Sequence, residues 1–166
     1  MTEVTRWQDY ESESCSIARA LASLGDRWTI LILRNAFLRI RRFEDFQANL
    51  GITRHLLAGR LKRLVEEDIL ERVAYQDAPP RYEYRLTAKG KLLYPVLIAM
   101  ATWGDAFMDG GKGAPVLYQH KRCGKIVKPQ MSCPDCGEAM HAHEVIALPG
   151  PGLKLADAVG RKKRSA

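Results

Sequence analysis

Residues Arg39 to Leu70 read RIRRFEDFQANLGITRHLLAGRLKRLVEEDIL, and the spacing within them decides the fold. Phe43, Phe46 and Leu50 recur at steps of three and four, the apolar side of a short helix over Glu44 to Leu50. Gly51 ends that helix, as a glycine just past the last periodic residue does. Ile52 plugs the turn, and Thr53 stands where a hydroxyl would cap the next helix. In that helix Leu57, Leu61, Leu64 and Val65 fall on one side. The other side, centred near Gly59, carries His55, Lys62 and Arg63, with Arg54 and Arg60 at its margins. A short helix, a tight glycine turn and a helix with a cationic outer face form a helix-turn-helix.

Such a face suits the major groove of double-stranded DNA. Phosphates require fixed positive charge and base edges require donors that reach them; the planar arginine fork serves both. From Arg39 to Arg63, seven Arg or Lys stand against Glu44 and Asp45. Arg54, His55 and Arg60 are the expected groove contacts, with Arg41, Arg42, Lys62 and Arg63 on phosphates and Thr53, at the start of the helix, also expected at the DNA. Gly59 would let the helix backbone approach the duplex. A solvated charged helix has the same composition, so the flanking segments must decide.

On the C-terminal side come Leu70 to Tyr75, then Gln76-Asp-Ala-Pro-Pro80, then Arg81 to Leu86. Tyr82, Tyr84 and Leu86 alternate with Arg81, Glu83 and Arg85, the period of a half-buried strand, and the prolines turn the chain. A hairpin directly after a recognition helix is a wing, and Arg81 would lie along the neighbouring backbone or minor groove. Before the central stretch, Ser14 is placed to cap a helix holding Ile17, Ala18, Leu21 and Leu24, which Gly25 ends. Asp26 caps a second helix, apolar nearly all round from Trp28 to Leu38, which belongs inside a bundle. Thr87 caps a long helix from Ala88 to about Met108, kinked at Pro95. Leu93, Leu97, Met100, Gly104 and Phe107 form a seam suited to pairing with a second copy. A homodimer would read two half-sites together. Asp109 to Gly113 reads as a flexible linker.

The segment from Leu117 to Val145 carries His120-x2-Cys123 and, nine residues on, Cys133-x2-Cys136. Two knuckles of this spacing can place four ligands around one tetrahedral Zn2+, and Gly124 and Gly137 come directly after the last cysteine of each. So short a module cannot stay folded on its own core, and a structural metal supplies the staple. His141 and His143 are alternatives to His120 as fourth ligand. A redox role for Cys133 and Cys136 lacks the βαβ context such pairs need.

The whole chain has 166 residues, 46% of them hydrophobic, and a net charge of +7, which favours an acidic partner. No apolar run approaches a membrane span, and the polar, acidic start is no signal peptide, so a cytoplasmic protein with no membrane partner is expected. No Ser/His/Asp set, phosphate-cradling glycine loop or acid pair speaks for an enzyme. The expected architecture is mainly α (α+β). An N-terminal arm covers 1–13, a winged helix-turn-helix with its dimerisation helix 14–110, a zinc-ribbon-like module 115–147 and a disordered basic tail 148–166.

Several blocks in order resemble the HxlR-type winged-helix transcription regulators, a branch close to the MarR group. They are Cys15 to Leu21, Gly25-Asp-Arg-Trp28 with Ile30 to Arg34, Arg42-Phe43, Leu50-Gly-Ile52, Leu57, Arg60-Leu61, Leu64, Pro80 to Thr87 and Lys89-Gly90. The resemblance implies a homodimeric, sequence-specific DNA-binding repressor or activator, in some members with a similar His/Cys ribbon. It places a cysteine at Cys15 that in some members senses electrophiles or oxidants; Ser16 stands next, where the family usually has proline. Packing as a small buried residue is the other role for Cys15. Arg39-Ile40-Arg41 stands where the family usually has a glycine. The expected function is transcriptional regulation, as a repressor in the first instance, on a palindromic operator and in response to a small molecule or electrophile. A small aromatic effector would sit near Trp28 and Trp103. The rival is a zinc-ribbon protein–protein adaptor whose basic face is incidental.

Overall fold

The computed structural model describes residues 15–153. The arm over 1–13, the Ser14 cap and the basic run Arg161 to Arg164 lie outside the described residues. The chain divides into two compact units, one up to Gly90 together with the segment from Leu148, the other Lys91–Ala147.

The first unit begins with α1 (Ser16–Leu24) and α2 (Arg27–Phe37). Asp26 caps α2 as expected, accepting the N–H groups of Trp28 and Thr29 at 3.0 and 3.2 Å. Then come α3 (Phe43–Leu50) and α4 (Arg54–Glu66), which form the helix-turn-helix. Gly51 joins them at φ +61°, a left-handed conformation that glycine adopts without steric cost. Thr53 precedes α4 with extended backbone, yet its side chain caps nothing; the cap read from its hydroxyl is corrected. Ile32, Leu33, Phe46, Leu57, Leu61, Leu64 and Leu70 are fully buried, so α2, α3, α4 and the first strand share one core. Buried Asn35 ties α2 to α3 by donating to Asn49 at 2.9 Å, while its own oxygen accepts from Arg34. Arg39 takes φ +66°, where a Cβ costs about 1–2 kcal/mol. The turn thus keeps a glycine-like conformation with an arginine in it.

β1 (Leu70–Gln76) and β2 (Arg81–Leu86) form the antiparallel wing, with Leu70 opposite Leu86 and a bulge between Ala74 and Gln76. The residues before α3 lie along β2: Arg42 bridges Glu83, and Tyr84 N–H donates to the Arg41 carbonyl at 2.8 Å. This third edge sets the wing's position relative to the recognition helix α4. Thr87 then caps α5 (Ala88–Lys91), its hydroxyl oxygen accepting from Gly90 N–H at 3.0 Å and its hydroxyl proton directed to the Asp68 carbonyl. Gly90 packs so closely that a Cβ there would fall on the Ile69 carbonyl oxygen.

The second unit is built on α6 (Tyr94–Phe107). The sequence predicts one long helix kinked at Pro95; instead the chain breaks after Lys91, and Pro95 sits in the first turn of a new helix. A proline is suited there because the first turn leaves its N–H groups unpaired anyway. The helix expected with the winged domain therefore groups with the cysteine-bearing segment. Asp109 to Gly113 is an organised loop rather than a bare linker: the Asp109 carboxylate accepts from Gly111 and Gly113 N–H at 3.0 and 3.1 Å. Those bonds hold its carboxyl below the usual carboxylate range. β3 (Tyr118–Gln119) and β4 (Ile126–Val127) form a small antiparallel hairpin, and Ser132 and Ala139 bridge a second one.

Candidate nucleic-acid interface

The outer face of α4 leaves Arg54, His55, Gly59 and Lys62 exposed together. Nothing lies within 4 Å of where a Gly59 side chain would begin, so the backbone there is open to close approach. Arg54, the first residue of α4, rests its guanidinium 4.8 Å above the Phe43 ring. That contact orients the fork while leaving its edge free, and an exposed cation–π pair contributes about 0.5–1 kcal/mol. Lys62 pairs with Glu66 at 3.6 Å, an exposed contact of little energetic weight.

Arg60 and Arg63 depart from expectation. Arg60 donates to Asp26 at 3.0 Å, and its buried Nε has no partner. Arg63 donates to Glu67 at 2.7 Å and to the Ala22 carbonyl at 2.6 Å. Both flank the buried leucine stripe of α4, so their side chains fold over it onto the ends of α1 and α2. In this structure both side chains fasten the recognition helix to the ends of α1 and α2 instead of reaching outward. Asp26 thus serves both as the α2 cap and as the anchor of α4.

The wing contributes a second cationic surface. Arg42 lies 4.6 Å over Tyr75, and Arg72 lies 3.5 Å over Tyr82. With Phe43, Arg54 and Arg81, and with the carboxylates Glu44 and Asp45 at the start of α3, they line a groove of about 550 Å3 between the N-terminal ends of α3 and α4 and the hairpin. Sequence periodicity does not single out Arg72; only the strand register shows that it stacks on a wing tyrosine. Glu83, largely shielded, has Arg41 at 3.8 Å, Arg42 at 4.0 Å and Arg85 at 3.0 Å. One carboxylate thereby gathers three guanidinium groups at the sheet edge, leaving a net positive surface.

Cys15 is exposed and immediately precedes α1, so a buried packing role is corrected. Trp103 lines a groove between α6 and the second small hairpin, and Trp28 is not among that groove's walls. His120 Nδ1 lies 3.3 Å from Cys123 Sγ. Cys133 and Cys136 interact across the second turn; the Cys136 backbone N–H, then that of Asp135 and the Cys136 side chain, hold the Cys133 thiol below its ordinary value. The spacing predicts four side chains aimed at one point. Among the described residues, no group of three or more His, Cys, Asp or Glu is drawn together; the ligands stand as two pairs. No helix of the described residues is long and apolar enough to cross a membrane.

A glycine-closed helix pair, an exposed cationic face on its second helix and a wing locked to the residues before its first define a winged helix-turn-helix of the transcriptional-regulator class. Within that class the chain belongs to the HxlR family: the model for the HxlR-like helix-turn-helix matches residues 23–112. Rv3095 of Mycobacterium tuberculosis H37Rv, described as an uncharacterized HTH-type transcriptional regulator, is 43% identical over 142 residues. That likeness covers 86% of this chain and 90% of the relative. The crystal structure of PA1607, described as a candidate transcription factor, superposes with a TM-score of 0.75 at 33% identity, over 86% of this chain and 99% of that one. The reduced form of HypR, described as a redox regulator, has a TM-score of 0.53 at 28% identity, over 57% of this chain and 95% of that one. Coverage of 86% leaves only about 23 of 166 residues unmatched, so the first two likenesses extend past the family model through both small hairpins.

Proposed function

We propose that this chain is a homodimeric repressor that binds a palindromic operator in double-stranded DNA. The observation that carries the reading is the shared exposure of Arg54, His55, Gly59 and Lys62 on one side of α4, beside a groove in which Arg42, Arg54, Arg72 and Arg81 outnumber Glu44 and Asp45. Arg54 and His55 read base edges from the N-terminal end of the helix. Lys62, Arg41, Arg42, Arg72 and Arg81 hold phosphates, which fix register without carrying sequence information.

Dimerisation is supported by α6. Met100, Trp103 and Phe107 succeed one another at steps of three and four, and each is more than half exposed. Apolar side chains in such a row are costly in water and are covered when a second copy lays its own helix alongside. Cys15, exposed before α1, is the residue through which an electrophile or oxidant would act on the regulator; HypR is described as a redox regulator. An adaptor role would use the second unit alone and leaves the open cationic face of α4 without a task.

Light scattering on the full chain tests the dimer. The expected mass is about twice 18.7 kDa, and Trp103→Glu is expected to halve it and to lower operator affinity steeply. A particle of 18.7 kDa at concentrations where DNA is saturated overturns the dimer.

A further inference from the structure

The two small hairpins of the second unit repeat one backbone design. In the first, His120 N–H donates to the Lys125 carbonyl at 2.9 Å, and Gly124 N–H returns to the His120 carbonyl at 2.8 Å. In the second, Cys133 N–H donates to the Glu138 carbonyl at 2.8 Å, and Gly137 N–H returns to the Cys133 carbonyl at 2.9 Å. Gly124 and Gly137 take φ +70° and +78° at equivalent places. Each turn therefore presents its first and fourth side chains on the same side: His120 with Cys123, and Cys133 with Cys136. Neither turn buries a core that would explain its shape, for nearly every residue from Val116 to Glu144 is exposed.

We propose that these two turns together hold one tetrahedral Zn2+ through His120, Cys123, Cys133 and Cys136, a structural site that fastens the hairpins to each other over α6.

The donor set and its geometry fit. With Zn–N near 2.0–2.1 Å and Zn–S near 2.3 Å, two ligands on one tetrahedral ion stand roughly 3.6 Å apart. His120 Nδ1 and Cys123 Sγ, at 3.3 Å, are already close to that edge length. The two turns also share a support. The first hairpin, through Tyr118 and Ile126, and the second, through Met131 and Met140, flank the same helix, and Thr102, Ala106 and Pro129 line the cavities on both sides. Pro129 lies on the short connection between the turns, which are only nine residues apart in the chain. Binding Zn2+ displaces up to three thiol protons and leaves a complex of charge −1 (three thiolates, a neutral imidazole and the ion). Lys121, Arg122 and Lys125, in and beside the first turn, offset that charge. Four protein ligands leave no open position for a reacting water, so the site braces the fold and carries out no chemistry.

The test uses the full chain, purified without chelator or polyhistidine tag. Metal analysis is expected to give about one zinc per chain, and Co2+ in its place to give intense tetrahedral d–d absorption with a thiolate charge-transfer band. Cys123→Ser, Cys133→Ser and Cys136→Ser each weaken that band and lower zinc affinity by more than the roughly 10–100-fold typical of outer-shell changes. In the zinc-loaded protein a thiol reagent reaches Cys15 alone, whereas chelated protein exposes all four cysteines. Zinc below about 0.2 per chain after growth with added zinc, together with an octahedral cobalt spectrum, overturns the site. Loss of binding in His141→Ala or His143→Ala, with His120→Ala unaffected, overturns the assignment of His120. Duplex binding measured on the same samples keeps the two proposals separate, because the cationic face of α4 lies in the other unit.

Discussion

Arg54→Ala is expected to weaken operator binding by about 1–3 kcal/mol for each half-site and to relax base preference at the position it reads. In a dimer each substitution acts twice, so the loss on an intact operator is roughly 2–6 kcal/mol if the half-sites are independent. The reasoning is positional. Arg54 opens α4, and its guanidinium sits 4.8 Å over the Phe43 ring with no ion pair to a carboxylate among the described residues, so its donors are available to a base edge. Lys62→Ala is the matched control. Lys62 sits two turns further along an exposed face, and its loss should weaken all duplexes alike while flattening the salt slope by about one unit. Binding isotherms for both variants, on operator and on unrelated duplex across a salt series, separate the two roles. Equal losses with unchanged sequence preference would contradict the assignment.

Phe46→Ala carries the other large effect. Phe46 is wholly buried and is the one buried residue of α3, a helix of eight residues. Removing its ring leaves a cavity where α3 meets α2 and α4, at a cost of about 3–5 kcal/mol. Net stabilities of single domains are of order 5–15 kcal/mol, so the helix-turn-helix would be brought near its unfolding threshold. Because α3 also supplies Phe43, the platform under Arg54, the variant should lose DNA discrimination before it loses all helix. Denaturant melts read by far-UV circular dichroism give the number, and a loss under about 1 kcal/mol would show that the α3 packing is misplaced.

The features legible in the sequence are local ones. Leucines at helical spacing in α4, the Gly51 stop, the Asp26 cap and the alternating tyrosines of β2 each declare themselves within a few residues, and each appears where expected. The roles of Arg60 and Arg63 are not legible there. Their charge points outward on a helical wheel, whereas their partners Asp26 and the Ala22 carbonyl are 34 and 41 residues away and meet them only after α4 packs on α1 and α2. Arg72 is hidden for the same reason, since its stacking on Tyr82 depends on strand register. Pro95 illustrates a different ambiguity: a proline that kinks a long helix and one that starts a new helix leave the same local signal. The His/Cys spacing is plain, but spacing alone gives pairs, and pairs are what the hairpins display.

The central claim is that α4 faces a duplex and that a twofold partner repeats the contact further along it. Sequencing the genomic fragments retained by the full chain at near-physiological salt tests it most directly. The account predicts convergence on one motif with inverted halves, their centres about 10–10.5 base pairs apart or a multiple of that. Fragments retained in proportion to their length, with no shared motif, would contradict it.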